Sequence, residues 1–227
     1  NLYVTGNCPE LGDWDIKKAQ RMEYGSHGNW KLDLALKKPS RDLSYKYFLK
    51  EDHGNTLFFE FGDERMIFLE NCKQESLFLV DAWRSQRDDS NAFYASAFTK
   101  NLMRRKRMSK KQDHLKQNNR VFRLYGPQID PDHVFCILGD HPQLASWNQK
   151  QPILMESYHY PVWEVQINIE DTPQNITYKY GIYDTKKNKL LFFESGANRF
   201  IRHDGNFTDN LLHIQTDNKF NFPRGNW

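Results

Sequence analysis

The sequence holds no CxxC, HExxH, GxSxG or GxxxxGK[ST] motif. That removes the short signatures of zinc sites, metalloproteases, serine hydrolases and P-loop enzymes. Cysteine is scarce. Cys8, Cys72 and Cys136 are odd in number and widely spaced, so they read as reduced, partly buried thiols of a cytoplasmic protein rather than a disulfide framework. No apolar run approaches the roughly 18 residues that a membrane span requires. Charge of one sign is not in excess either: 32 Lys and Arg face 29 Asp and Glu, a balance that recruits no nucleic acid. The expectation from these absences is a chain with no catalytic residue, no metal and no cofactor, partnered by neither membrane nor nucleic acid.

What the chain has in abundance is aromatic rings: 16 Phe, 11 Tyr and 6 Trp, 15% of 227 residues. Such a chain builds cores from few residues and has rings left over for a surface. It also repeats itself, which decides its organisation. "LYVTGNCPELGDWDIKKAQRME" from Leu2 matches "VFCILGDHPQLASWNQKQPILME" from Val134. "WKLDLAL" from Trp30 matches "WEVQINI" from Trp163, and "LSYKYFL" from Leu43 matches "ITYKYGI" from Ile176. Trp14 and Trp147, Trp30 and Trp163, and Lys46 and Lys179 all stand 133 residues apart. After one inserted residue, Glu60 and Glu194 stand 134 apart, as do Arg65 and Arg199. Five landmarks in one order at one spacing mean two copies of one domain.

Each copy alternates. Trp30, Leu32, Leu34 and Leu36 share one parity, as do Trp163, Val165, Ile167 and Ile169, the period of half-buried strands. Turn formers at "PSRD" and "DTPQN" punctuate these runs, at the spacing of a sandwich. The expected fold class is all-β, two immunoglobulin-like β-sandwiches in tandem. The first module takes 1–84, a charged linker 85–119, the second module 120–218, and a lead-in to a further domain 219–227. Because the chain starts at "NLYVTG", almost inside a strand, the first strand of the first module is expected to be missing. Within the linker, "NAFYASAFTKNLM" is a helical candidate and "RRKRMSKK" reads as solvated chain, with no aromatics interleaved as single-strand binders require. His133 and His141 lie near Asp132 and Asp140, but the first copy has no histidine at matching places, so no metal site is read there. A glycosidase's carboxylate pair leaves no local signature, and modules this small offer no insertions to form its cleft.

Three features recur in both copies: a Trp after a tight turn ("LGDW", "LASW"), a Lys between two tyrosines ("YKY"), and a Phe-Phe-Glu turn ("LFFEFGDER", "LFFESGANR"). On an alternating strand the tyrosines point inward and Lys46 and Lys179 outward. Each Phe pair divides likewise. Phe58 and Phe192 are expected in the core, with Phe59 and Phe193 exposed beside the carboxylate as flat platforms. The axial C–H face of a glucose ring offers an apolar plane to such a ring, while Lys, Asn and backbone groups meet its hydroxyls. For Trp14 and Trp147 two readings stay open, a platform or a buried core Trp. Trp30 and Trp163 share the core parity.

These motifs, "GNCPELGDW", "YKY" and "FFESGANR", resemble the starch-binding domain of carbohydrate-binding module family twenty, over most of both copies. The resemblance implies non-catalytic binding of starch, glycogen or maltooligosaccharides. It also implies sugar-facing residues at Trp14, Lys46 and Phe59, and at Trp147, Lys179, Phe193, Glu194 and Asn198. The family usually carries a second Trp where Phe59 and Phe193 stand. The first copy has Glu64 where the second has Asn198, so the second module is expected to bind more tightly. The family's second site rests on tyrosines, for which Tyr24 and Tyr158 are the candidates, and Pro131 falls near one such position. Tandem copies before "NFPRGNW" resemble the front of amylomaltase-type 4-α-glucanotransferases, which implies a C-terminal catalytic domain in cis. The competing readings are a pair of interaction or dimerisation domains that bind no sugar, and modules of an amylase or a glucan phosphatase.

Overall fold

A computed structural model describes residues 1–25, 28–37, 42–51, 56–69, 72, 74–85, 118–169, 175–201 and 211–224. Strands dominate, joined by short 3-10 turns, and no helix among the described residues is long and apolar enough to cross a membrane. Two compact units form. One comprises Asn1–Cys72 and Trp83–Leu102; the other comprises Lys73–Ala82 and Met103–Trp227.

In the first unit the strands are β1 (Leu2–Gly6), β2 (Gln20–Arg21), β3 (Glu23–Tyr24), β4 (Trp30–Lys31), β5 (Leu43–Lys50), β6 (Leu57–Phe59) and β7 (Arg65–Ile67). An antiparallel sheet runs β2-β1-β5-β6, with β7 also on β5, while β3 and β4 form a separate pair. Leu43, Tyr45 and Ile67 are buried, as the parity of "LSYKYFL" requires. The strand expected over "WKLDLAL" is shorter than its alternation implies, only Trp30–Lys31. Alternation sets a face but does not supply a partner strand, and β4 pairs with the two residues of β3 alone.

The second unit adds β8 (Ser76–Asp81), β9 (Arg120–Tyr125), β10 (His133–Gly139), β11 (Ile153–Leu154), β12 (Glu156–His159), β13 (Val162–Ile167), β14 (Ile176–Asp184), β15 (Lys189–Phe193), β16 (Arg199–Ile201) and β17 (Leu211–Asp217). One sheet is β11-β10-β14-β15 with β16 on β14, and the other is β12-β13-β9-β17-β8. Between them lies one core of Phe122, Leu124, Phe135, Ile137, Trp163, Tyr178, Tyr180, Ile182 and Phe220 with their neighbours. Here "WEVQINI" is a strand over 162–167, because β9 pairs with it along its whole length. Trp163 is buried, as its parity implies.

One strand departs from the expected boundary at 84. β8 comes from the end of the first repeat, yet it lies parallel to β17 in the second unit, from Leu211 opposite Ser76 to Thr216 opposite Asp81. β17 in turn runs parallel to β9. The linker helix expected at 91–103, the basic run at 104–111 and most of "PSRD" and "DTPQN" lie outside the described residues.

Candidate functional site

The tryptophan turn is built the same way twice. After β10 a 3-10 segment, Pro142–Trp147, plugs Leu144 into the sheet edge, and Leu11 does the same after β1. Gly139 and Gly6 make room for it: a Cβ at either would strike Leu144 or Leu11 and the carbonyl of Thr177 or Ser44. The chain then passes through the left-handed region, where bulky residues are rare. Ala145, Ser146 and Trp147 have φ of 62°, 43° and 60°; Gly12, Asp13 and Trp14 have 85°, 48° and 66°. Trp14 is thereby left 43% exposed, and Trp147 half-buried. Neither is a core tryptophan.

In the second unit, register then gathers the remaining parts. Tyr178, Tyr180 and Ile182 of β14 face the core, so Lys179, Gly181 and Tyr183 face out. Phe192 stands opposite Ile182 and packs against the core; Phe193 stands opposite Gly181, on the outer face. There Cys136, Leu138 and Tyr183 form a small apolar floor, against which Trp147, Leu190 and Phe193 pack. Burial pushes the Cys136 thiol up to about 12, so it stays protonated under the rings. The Trp147 and Phe193 rings are 6.4 Å apart at 73° to each other, two half-buried planes set at an angle. Lys179 Nζ donates to the carbonyl of Gly196 at 2.6 Å. Gly196 has φ of 93°, so a glycine is required at that bend. Asn198 is exposed at the end of the same turn.

Glu194 is the exception among the residues expected to face sugar. It is 3% exposed and turned to the core side. Its carboxylate accepts from Arg199 Nε at 2.8 Å and Nη2 at 2.7 Å, and from the Tyr180 backbone N–H at 3.2 Å. Arg199 also donates to Asp217 at 3.0 Å and lies 5.3 Å from the Tyr180 ring centre. Burial disfavours the guanidinium charge, but Glu194 and Asp217 outweigh it and hold Arg199 protonated. Tyr178 and Tyr180, raised by burial and by Asp217, keep their protons and donate them to Asp217 at 2.8 and 2.9 Å. Glu194 and Arg199 thus close the turn 195–198 from beneath. Arg199 entered the sequence reading only as a spacing landmark shared with Arg65, and Asp217 and Gly196 were not singled out.

The first unit keeps the clasp and changes the platform. Buried Glu60 binds Arg65 at 2.7 Å and Arg84 at 3.1 Å. Burial works against the Glu60 charge, yet the two arginines hold its carboxyl below the ordinary value. Lys46 Nζ donates to Gly62 O at 2.5 Å, the counterpart of the Lys179 bond; burial first and Arg84 second lower its pKa. Phe48 stands where the second repeat has Gly181, and it is fully buried between Tyr3 and Phe59, whose ring centres lie 5.4 and 5.2 Å away. Phe59, expected exposed, is half-buried on Phe48, and Phe193, expected exposed likewise, is half-buried on the floor of Cys136, Leu138 and Tyr183. Phe58, expected in the core, stands opposite Leu49 with the correct parity but is 50% exposed. Its counterpart Phe192 is covered by Phe220. Away from this face, Tyr24 is 67% exposed and meets Trp30 edge-on at 5.1 Å. The two rings line a hollow of about 470 Å³ with Arg21, Met22, Glu23 and Asn1. The Tyr158 side chain lies outside the described residues, and among those residues no cluster of metal-ligating side chains occurs.

A family model described as starch binding domain matches residues 1–77 and 120–209, well over half of the chain. The chain is similar to the 4-alpha-glucanotransferase DPE2 of Oryza sativa subsp. japonica, 23% identical over 195 residues, 79% of this chain and 20% of that protein. It is also similar to an alpha-amylase of Streptomyces violaceus, 35% identical over 85 residues, 37% of this chain and 14% of that protein. It thus spans a fifth or less of the length of these relatives. Among solved structures, the family 20 CBM of a maltotetraose-forming amylase from Pseudomonas saccharophila STB07 aligns at 18% identity and a TM-score of 0.34, over 42% of this chain and 97% of that one.

Proposed function

This chain belongs to the starch binding domain family through both of its repeats, and we propose from that premise that each repeat docks an α-1,4-glucan on the outer face of its first sheet. The observation that carries the reading is the angled pair of half-exposed rings, Trp147 and Phe193, beside Lys179 and Asn198. Two planes at an angle follow the natural curve of the polymer. Lys179 and Asn198 meet its hydroxyls at the rim, and Glu194 and Arg199 hold the turn without touching sugar. In the first repeat Trp14, Lys46 and Phe59 take these parts, with Phe59 sunk onto Phe48 and the acidic Glu64 in place of Asn198. The second repeat is accordingly the tighter binder. A shallow site of this kind gives a Kd of about 10 μM to 1 mM.

The chain performs no chemistry itself. It brings a catalytic domain of the same polypeptide, a 4-α-glucanotransferase, to its glucan in the cytoplasm. The rice glucanotransferase match along 79% of the chain favours that parent over an amylase. The test of the main reading is the double variant Trp14→Ala, Trp147→Ala, run through a gel containing glycogen. A folded double variant is expected to migrate without retardation. Retention equal to that of the parent chain would overturn the site assignment.

A further inference from the structure

The register of β14 carries the aromatic face beyond the ring pair. Directly opposed residues of an antiparallel pair share a face. Phe193 stands opposite Gly181 on β15, and Phe200 stands opposite Thr177 on β16. Lys179 lies midway between Gly181 and Thr177, so Phe193, Lys179 and Phe200 all look out from the same side of one sheet. The intervening positions confirm the parity, since Phe192, Ile182, Tyr178 and Ile201 belong to the core. β10 occupies the other edge of β14, so β15 and β16 lie along one edge, end to end. From Gly181 to Thr177 is four residues, about 13 Å of strand. At that distance Phe200 presents a ring that is 53% exposed.

We propose that Phe200 is an outer subsite of the second repeat: an aromatic contact for an α-1,4-glucan already resting on Trp147 and Phe193. The inference deepens the reading of the ring pair and rests on it. A chain leaving Phe193 in this direction passes Lys179, whose ammonium is hydrogen-bonded to the Gly196 carbonyl. It also passes exposed Asn198, and next meets the exposed ring of Phe200. The gap exceeds what a maltose unit seated on the ring pair covers, so only a longer glucan touches both places. The first repeat has Met66 opposite Ser44 at the corresponding position, exposed and apolar but without a plane to stack on. The gain in affinity with chain length therefore belongs to the second repeat.

The experiment uses the whole chain carrying Trp14→Ala to silence the first platform, titrated calorimetrically with maltose and with maltoheptaose. Phe200→Ala removes an exposed side chain, and an unchanged melting curve establishes that the variant is folded. Its Kd for maltoheptaose is expected to rise about three- to tenfold, the worth of one aromatic contact, with maltose unaffected; Phe200→Trp is expected to tighten maltoheptaose alone. Unchanged maltoheptaose affinity in Phe200→Ala, or an equal loss for both sugars, overturns the outer subsite. Trp147→Ala in the same background separates the two readings. Should it abolish binding while Phe200→Ala changes nothing, only the outer subsite is lost; should it leave maltoheptaose binding intact, the ring-pair site and the subsite fall together.

Discussion

Ala145, Ser146 and Trp147 are three consecutive non-glycine residues in the left-handed region. Each costs on the order of 1 kcal/mol there, because Cβ crowds the following carbonyl. The first repeat relieves the first of the three with Gly12 and keeps the tryptophan at φ 66°. In both copies the last residue of the left-handed run is the ring that projects from the sheet. Ala145→Gly removes one clash while giving the unfolded chain more freedom, for a net gain of about 0.5–1 kcal/mol, a few degrees in melting midpoint. Maltoheptaose affinity is expected to stay the same, since Trp147 keeps its place. A lower midpoint would show that Cβ of Ala145 is not the source of the strain. At this scale the sequence was a good guide to direction and a poor one to cover. Parity placed Tyr178 and Tyr180 inside and Lys179 outside. It could not reveal that Phe48, in the place of Gly181, would swallow half of Phe59, because that depends on which ring lies across the strand. Nor did it mark Glu194 as buried, since burial came from Arg199 and Asp217 acting together.

Among elements, the seam between β8 and β17 has the most to say. His213 of β17 stands opposite Phe78 of β8 and stacks on it at 5.2 Å. Burial first, and the neighbouring Arg120 second, lower its pKa from 6.5 to about 3. The sign follows from proton counts. Between those values the unfolded chain carries a proton on this histidine and the folded chain does not, so stability falls as pH drops through the window. One such group contributes up to about 1.4 kcal/mol per pH unit. The melting midpoint of the second unit is therefore expected to decline from pH 6.5 downward, and His213→Gln to flatten the decline. An equal slope in parent and variant would assign the acid sensitivity elsewhere. The pairing itself was illegible beforehand. Nothing local to "SLFLVD" says which sheet completes it, and the same gap explains why "WKLDLAL" is cut to two residues while "WEVQINI" is not.

Across the whole molecule, the proposed function places two weak sites on one chain, and together they make a stronger one wherever a ligand reaches both. With an effective concentration on the order of millimolar, tethering raises polymer affinity about tenfold or more over a single site. Trp14→Ala alone is expected to leave the second repeat's Kd for maltoheptaose unchanged and to weaken binding to granular starch by that factor. Starch affinity left unchanged by the substitution would mean that the repeats act separately. The all-β tandem organisation was the most legible property of all, because a constant spacing of tryptophans, lysines and glutamates needs no knowledge of packing.

β8 also separates two things that usually coincide. The stretch that was copied and the stretch that folds are out of phase: the chain enters the second unit at Lys73, returns to the first at Trp83, and crosses again at Met103. Scissors applied at the end of the first copy would leave β17 with a bare rim of backbone donors and acceptors, an invitation to self-association. An excision of the second unit that keeps β8 begins upstream of Lys73, inside what the repeat would assign to its twin, and carries Trp83–Leu102 of the first unit with it.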